Sequence, residues 1–175
     1  MPKIRERVGL KIKSMDFKLY VIKGQENAGK TNACWKLLSK FKESIEYVNY
    51  WELRSSDAIY IPDKLVYENS KGNTCDFIVI FKHKIRQERI AIISTGDEAW
   101  VLKKDIFHVL SQDVTTIICC SRTINRSNST YRMLNRYFKK HIVWSEEITF
   151  SKDITIKQKY EEEIVEKIYS QLLNN

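Results

Sequence analysis

Apolar residues recur with two different periods along the chain. Short apolar runs rich in β-branched and aromatic residues are typical of buried strands, and apolar residues spaced by three or four positions are typical of amphipathic helices. The first pattern predicts strands at residues 19–23, 45–51, 77–82, 89–94, 115–120 and 141–145. The second predicts helices at residues 30–41, 105–111, 128–139 and 156–173. Strands that alternate with helices predict a layered α/β domain with a mainly parallel sheet.

The connections between these elements refine the predicted fold. The short polar segment 83–88 is too short for a crossover helix, so the two strands that flank it should form an antiparallel hairpin. Residues 52–74 have no clear period. Residues 1–15 are basic and partly alternating, which predicts either a basic arm or an extra strand. We interpret residues 1–175 as one domain.

The composition is that of a globular protein. Of the 175 residues, 43% are hydrophobic and 30% are charged, which is enough for one buried core. No apolar run approaches the roughly 20 residues needed to span a bilayer, so we expect no membrane partner. The cysteines have no metal-site spacing, and reduced structural cysteines are typical of a cytoplasmic protein. The four tryptophans are expected to pack against the sheet or its loops; they are Trp35, Trp51, Trp100 and Trp144.

The net charge of +8 is distributed unevenly. Residues 1–40 contain ten Lys and Arg against three acids, and residues 122–141 contain six against none. Clusters of this kind attract polyanions, either nucleotide phosphates or nucleic acid. A solvated basic face is the alternative interpretation.

Two of the five glycines lie in the segment GQENAGKT, residues 24–31, between the first predicted strand and the first predicted helix. Glycines allow the backbone to curl until successive N–H groups point inward, and the helix adds the positive end of its dipole. Such a loop binds phosphate. Lys30 would reach the outer phosphates, and Thr31 would offer a hydroxyl to Mg²⁺. The expected phosphate-binding residues are Gly24, Gln25, Glu26, Asn27, Ala28, Gly29, Lys30, Thr31 and Asn32.

This segment resembles the Walker A motif of P-loop nucleoside triphosphatases and kinases. The resemblance implies a three-layer α/β fold with Mg²⁺ and either ATP or GTP as ligands. The Asn-Lys-x-Asp signature of guanine-specific members is missing, because Leu102 stands where the asparagine should be in residues 102–105. ATP is therefore favoured. The chain as a whole looks like a group of compact P-loop proteins of unassigned function.

Proteins of this kind usually hold Mg²⁺ with a second carboxylate at a strand end. In the common pattern an aspartate ends the apolar run, but here Ser94 has that place and Asp97 follows three residues later. We expect Asp97 to position the metal together with Thr31, with Glu98 beside it. Glu52, after the second predicted strand, is a weaker candidate. The displaced acid puts efficient hydrolysis in doubt.

Arginines follow the strand predicted at residues 115–120. Arg122 lies at the end of this strand, where polar residues of P-loop proteins commonly face the γ-phosphate. Arg126, Arg132 and Arg136 in the segment that follows resemble the lid of nucleotide and metabolite kinases, which implies a role in neutralising charge on the transferred phosphoryl group. The alternative is a basic surface helix, or one that binds nucleic acid with Tyr131 and Tyr137 offering stacking.

The leading hypothesis is an ATP-binding protein that hydrolyses ATP or transfers its γ-phosphoryl group in the presence of Mg²⁺. Lys30, Asp97, Arg122, Arg126 and Arg132 would carry the chemistry. Transfer needs a pocket for a small-molecule acceptor, and residues 52–74 are the region from which it would be built. A nucleic-acid-associated module gated by ATP and a nucleotide sensor without chemistry are the alternatives.

Overall fold

The computed structural model describes residues 15–123 and 129–174. In chain order, the strands of this part are β1 (Lys18–Lys23), β2 (Ile45–Leu53), β3 (Ile59–Ile61), β4 (Val66–Glu68), β5 (Phe77–His83), β6 (Arg89–Ile93), β7 (Thr116–Ser121) and β8 (Ile142–Glu147). The helices are α1 (Lys30–Phe41), α2 (Ala99–Leu110), α3 (Thr130–Tyr137) and α4 (Ile154–Asn174). Short 3₁₀ helices at Lys42–Ser44 and Lys139–His141 precede β2 and β8.

The central sheet has six strands in the order β2-β5-β6-β7-β1-β8. Strands β6, β7, β1 and β8 are parallel, whereas β5 runs antiparallel to both of its neighbours. The prediction of an α/β fold with a mainly parallel sheet and one antiparallel hairpin is therefore confirmed. Because β5 runs in the opposite direction, its first residue lies at the edge where β6, β7 and β1 end.

Helices cover both faces of the sheet. On one face α1 and α4 bury a core that includes Leu37, Phe41 and Ile168. On the other face α2 and α3 bury a second core that includes Ile106 and Leu134. Strands covered on both faces need apolar residues at every position, which is why β5, β6 and β7 are continuous apolar runs rather than alternating ones.

Several elements differ from the predictions. α2 begins at Ala99, six residues before the predicted start. Leu102, Ile106 and Val109 form one buried stripe, but the two lysines after Leu102 interrupt the apolar pattern in the sequence. Residues 52–74 contain the β3–β4 hairpin, whose three-residue strands are too short to produce a recognisable period. The predicted basic arm or strand at residues 1–15 falls almost wholly outside the described residues.

None of the helices within the described residues has both the length and the apolar character needed to cross a membrane.

Candidate functional site

A cavity of about 620 Å³ opens at the edge of the sheet where β1 and β6 end and β5 begins. The loop between β1 and α1 forms its floor. The β3–β4 hairpin, the loop after β6 and the first turn of α4 form its walls. The lining residues are Glu26, Asn27, Ala28, Gly29, Lys30, Thr31, Asn32, Lys64, Glu68, Gly72, Asn73, Thr74, Asp76, Ser94, Gly96, Asp97, Ile154 and Lys157.

The loop between β1 and α1 is curled, and Gly29 allows the curl. Gly29 has a φ of +103°, in the left-handed region that favours glycine. A side chain at this position would also meet Glu161, because a Cβ atom would lie 2.5 Å from Glu161 Oε1. Asn27 has a φ of +59°, which asparagine tolerates better than most residues. The backbone therefore turns sharply twice before α1 begins.

Lys30 points into this loop. Its side chain is only 7% exposed, and its ammonium donates hydrogen bonds to the carbonyl oxygens of Gly24, at 2.9 Å, and Gln25, at 2.8 Å. Burial lowers the pKa of Lys30, and the nearby Cys120 and Asp97 oppose that shift. Both direct partners are neutral, so the ammonium is a buried cation that forms no ion pair with any residue in the described part of the chain.

The first amides of α1 face the same space. The first turn of a helix has N–H groups without intrahelical partners, and the N-cap residue Gly29 has no side chain that accepts from them. These amides also carry the positive end of the helix dipole. An anion in the cavity would therefore meet unpaired N–H groups and the Lys30 ammonium together.

Asp76 is a site residue that sequence reasoning missed. It precedes β5, and its Oδ1 atom accepts hydrogen bonds from Thr31 Oγ1 and Ser94 Oγ, both at 3.0 Å. Ser94 Oγ also accepts from the backbone N–H of Phe77 at 2.8 Å. Ser94 ends the apolar run of β6, where the common pattern has its aspartate. The antiparallel neighbour β5 supplies a carboxylate at that place instead.

Asp97 lines the cavity but does not contact Thr31 directly. Its carboxylate forms an ion pair with Arg122, whose Nε atom lies 3.0 Å from Asp97 Oδ1. Arg122 Nη1 also lies 3.4 Å from Glu26 Oε2 in the loop after β1. Arg122 follows β7 and thus links the loop after β6 to the loop after β1, beside the cavity.

The other predicted residues lie in different surroundings. Arg132 is exposed on α3 and does not line the cavity, and Arg126 lies outside the described residues. Glu98 is the exposed N-cap of α2. Glu52 accepts a hydrogen bond from the Tyr50 hydroxyl and pairs with Arg54, so it belongs to a separate cluster.

Asn32 connects the cavity to a second one of about 430 Å³ between the β3–β4 hairpin and α4. Its side-chain amide donates to Glu161 Oε1 at 3.3 Å, and its oxygen accepts from Thr74 Oγ1 at 2.6 Å. Lys64 and Lys157 line both cavities. The second cavity therefore adjoins the first and is built partly from residues 52–74.

The chain matches no known protein family, no curated protein and no solved structure. The site must be interpreted from its own chemistry. The described residues contain no group of three or more His, Cys, Asp or Glu side chains that would hold a metal ion by themselves. One hydroxyl and one carboxylate, from Thr31 and Asp76, suit Mg²⁺, which usually keeps several waters and takes further ligands from substrate phosphates.

Proposed function

We propose that the protein binds ATP together with Mg²⁺ and cleaves or transfers the γ-phosphoryl group. The buried Lys30 ammonium is the observation that carries the proposal, because a charge held only by neutral carbonyls beside the unpaired first amides of α1 is suited to an anion. The strand, loop and helix around it, with helices on both faces of the sheet, support the fold of P-loop nucleoside triphosphatases.

Thr31 and Asp76 would hold the metal. The Thr31 hydroxyl already lies within hydrogen-bond distance of the Asp76 carboxylate, so one ion with its waters would contact both groups with little rearrangement. Bound Mg²⁺ would neutralise charge on the phosphates. Ser94 would keep the Asp76 carboxylate in place through the hydrogen bond described above.

Arg122 would neutralise charge that develops on the γ-phosphoryl group. It is held by Asp97 in the loop after β6 and by Glu26 in the loop after β1. Exchanging one carboxylate for a phosphate oxygen would bring the guanidinium to the reacting group. Asp97 thus positions Arg122, whereas Asp76 takes the metal role that we expected for Asp97 from the sequence.

The second cavity supports transfer as well as hydrolysis. It is lined by Asn32 and has room for the nucleoside or for part of an acceptor. In hydrolysis, water attacks the γ-phosphorus, the bond to the bridging oxygen breaks and ADP leaves. In transfer, an acceptor hydroxyl replaces the water.

Release of labelled phosphate from γ-labelled ATP tests this proposal. We expect release to depend on Mg²⁺ and to fall by about 100-fold in Arg122→Ala, which removes charge stabilisation but leaves the phosphate loop intact. Arg89→Ala is the matched control, because Arg89 also pairs with an aspartate but stands at the opposite edge of the sheet. ATP binding without phosphate release over hours would indicate a sensor or a missing acceptor and would contradict hydrolysis.

A further inference from the structure

The outer surface of α2 and α3 carries cations without anionic partners. Residues 99–112 and 129–141 contain a single acid, Asp105, which is buried and paired with Arg54 at 2.7 Å. The two segments contain six cations, and none of them forms an ion pair with any residue that the structure describes. They are Lys103, Lys104, Arg132, Arg136, Lys139 and Lys140.

The opposite face of the protein is different. On α1, Lys36 pairs with Glu161 at 3.0 Å and Lys40 pairs with Glu166 at 2.5 Å. Two lysines of α1 are therefore paired with acids of α4, whereas none of the six cations on α2, α3 and the turn after α3 is paired with a described residue. A surface with this imbalance attracts polyanions.

Two exposed aromatic rings lie among these cations. Trp100 is 68% exposed, so the prediction that it packs against the sheet or its loops is wrong. Lys103 and Lys104 follow it by three and four positions and share its helix face. The Lys103 ammonium lies 3.7 Å from the centre of the Tyr137 ring, and Tyr137 is itself 42% exposed. The contact between Lys103 and Tyr137 thus joins the basic and aromatic surfaces of α2 and α3 into one strip.

We propose that this strip binds single-stranded nucleic acid. Lysine and arginine side chains would contact the phosphates, and unpaired bases would stack on Trp100 and Tyr137. A duplex would present the same phosphates but keep its bases stacked internally, so exposed rings favour a single strand. Neither the cations nor the rings belong to the phosphate site described above, so this proposal does not rest on the proposed function.

The test is fluorescence anisotropy with labelled oligothymidine and oligouridine of about 20 nucleotides, a matched duplex and anionic vesicles, all without ATP. The wild-type protein is compared with three variants of the strip, Trp100→Ala, Tyr137→Ala and Lys104→Ala. Two matched controls come from outside the strip. Tyr60→Ala removes a tyrosine that is 44% exposed, and Lys42→Ala removes an exposed lysine that follows α1.

We expect single strands to bind more tightly than the duplex, and Trp100→Ala to weaken single-strand binding by about tenfold with little effect on duplex binding. Lys104→Ala should reduce the dependence of log Kd on log salt concentration by about one. Three results would overturn the proposal. The first is no single-strand binding at about 50 mM salt. The second is an equal change of single-strand affinity in Trp100→Ala and Tyr60→Ala. The third is tighter binding to the duplex or to vesicles than to single strands.

Discussion

At the scale of residues, Asp76 connects parts of the site that are distant in the chain. Thr31 and Asp76 are separated by 45 positions, yet their side chains lie within hydrogen-bond distance. Ser94 Oγ donates a hydrogen bond to Asp76 Oδ1 at the place where β6 ends and β5 begins. The carboxylate is therefore fixed by the hairpin itself, which would make it a better positioned metal ligand than the more exposed Asp97.

Asp76→Asn tests this assignment. Asparagine has nearly the same shape but no charge, so we expect the gain in ATP affinity that Mg²⁺ provides to fall by about tenfold or more. Titrations of ATP with and without Mg²⁺ measure that gain. Asp97→Asn is the comparison and should retain most of it. If Asp97→Asn removed the Mg²⁺ effect and Asp76→Asn did not, the metal role would belong to Asp97.

Lys30 should make ATP binding sensitive to pH. Its pKa is lowered from 10.5 by burial, so the ammonium loses its proton at a lower pH than an ordinary lysine. ATP affinity should fall as pH rises through that lowered pKa, and calorimetric titrations over this range measure the fall. Lys30→Ala should show no such fall. An affinity for the wild-type protein that stayed constant up to pH 10.5 would contradict the role of the ammonium.

The same pKa shift has the opposite consequence for stability without ligand. Between the lowered pKa and 10.5 the unfolded chain binds more protons at this lysine than the folded chain does. The contribution of Lys30 to the free energy of unfolding should therefore increase with pH in that interval. Comparing denaturation of the wild-type protein and Lys30→Met across the interval isolates this contribution.

Part of the site could be predicted from the sequence. The positions of Gly29, Lys30 and Thr31 at the turn into α1 depend on spacing within one loop, which is a local property. The position of Asp76 depends on which strand lies next to β6 and on its direction, and no local pattern contains that information. An aspartate directly before the apolar run of β5, combined with the predicted hairpin, is the signal that would have indicated it.

At the scale of elements, α4 supports the loop between β1 and α1 through Glu161. This residue is 2% exposed, pairs with Lys36 and accepts a hydrogen bond from Asn32, so it connects α4 to the first turns of α1. It also fills the space beside Gly29, where a side chain would collide with it. α4 therefore helps to determine the position of the loop between β1 and α1.

We expect Glu161→Ala to lower the free energy of unfolding by about 2 kcal/mol, because charge-assisted hydrogen bonds of a buried carboxylate are lost. Chemical denaturation measures this change. Glu162→Ala is the matched control. Glu162 neighbours the same Lys36 at 4.0 Å, but its side chain is 71% exposed, so its removal should change stability by less than about 0.5 kcal/mol. Equal effects of the two substitutions would contradict the structural role of Glu161.

Gly96 fixes the loop after β6 against β7. A Cβ atom at this position would lie 2.6 Å from the carbonyl carbon and oxygen of Cys120, which are backbone atoms that cannot move aside easily. Gly96→Ala should therefore lower the free energy of unfolding by about 1–3 kcal/mol and weaken the Asp97–Arg122 pair. Unfolding curves measure this change. Gly72→Asn is the control, because Gly72 has a positive φ and open space around it.

The elements with long and regular patterns could be predicted from the sequence. α1 has the predicted bounds, and the β5–β6 hairpin follows from the short polar segment between its strands. The order of the strands was not predictable in the same way. The insertion of β5 between β2 and β6 depends on contacts between distant residues, and it determines where Asp76 lies.

At the scale of the whole molecule, the sheet separates two surfaces with different charge. The paired charges of α1 and α4 lie on one side, and the cations of α2 and α3, which form no ion pairs within the described residues, lie on the other. The loops that line the cavity lead directly into α1 and α2. The backbone N–H of Arg122 also donates to Thr130 Oγ1 at 2.9 Å, at the start of α3.

The central claim is that the loop between β1 and α1 binds polyphosphate through its amides and Lys30. Isothermal titration calorimetry with Mg²⁺ and ATP tests it most directly, using the wild-type protein, Lys30→Ala and the exposed control Lys42→Ala. We predict saturable binding to the wild type and to Lys42→Ala, and a loss of affinity of about 100-fold in Lys30→Ala, consistent with two or three charge-assisted hydrogen bonds. No binding to the wild-type protein, or equal affinity in Lys30→Ala, would contradict the claim.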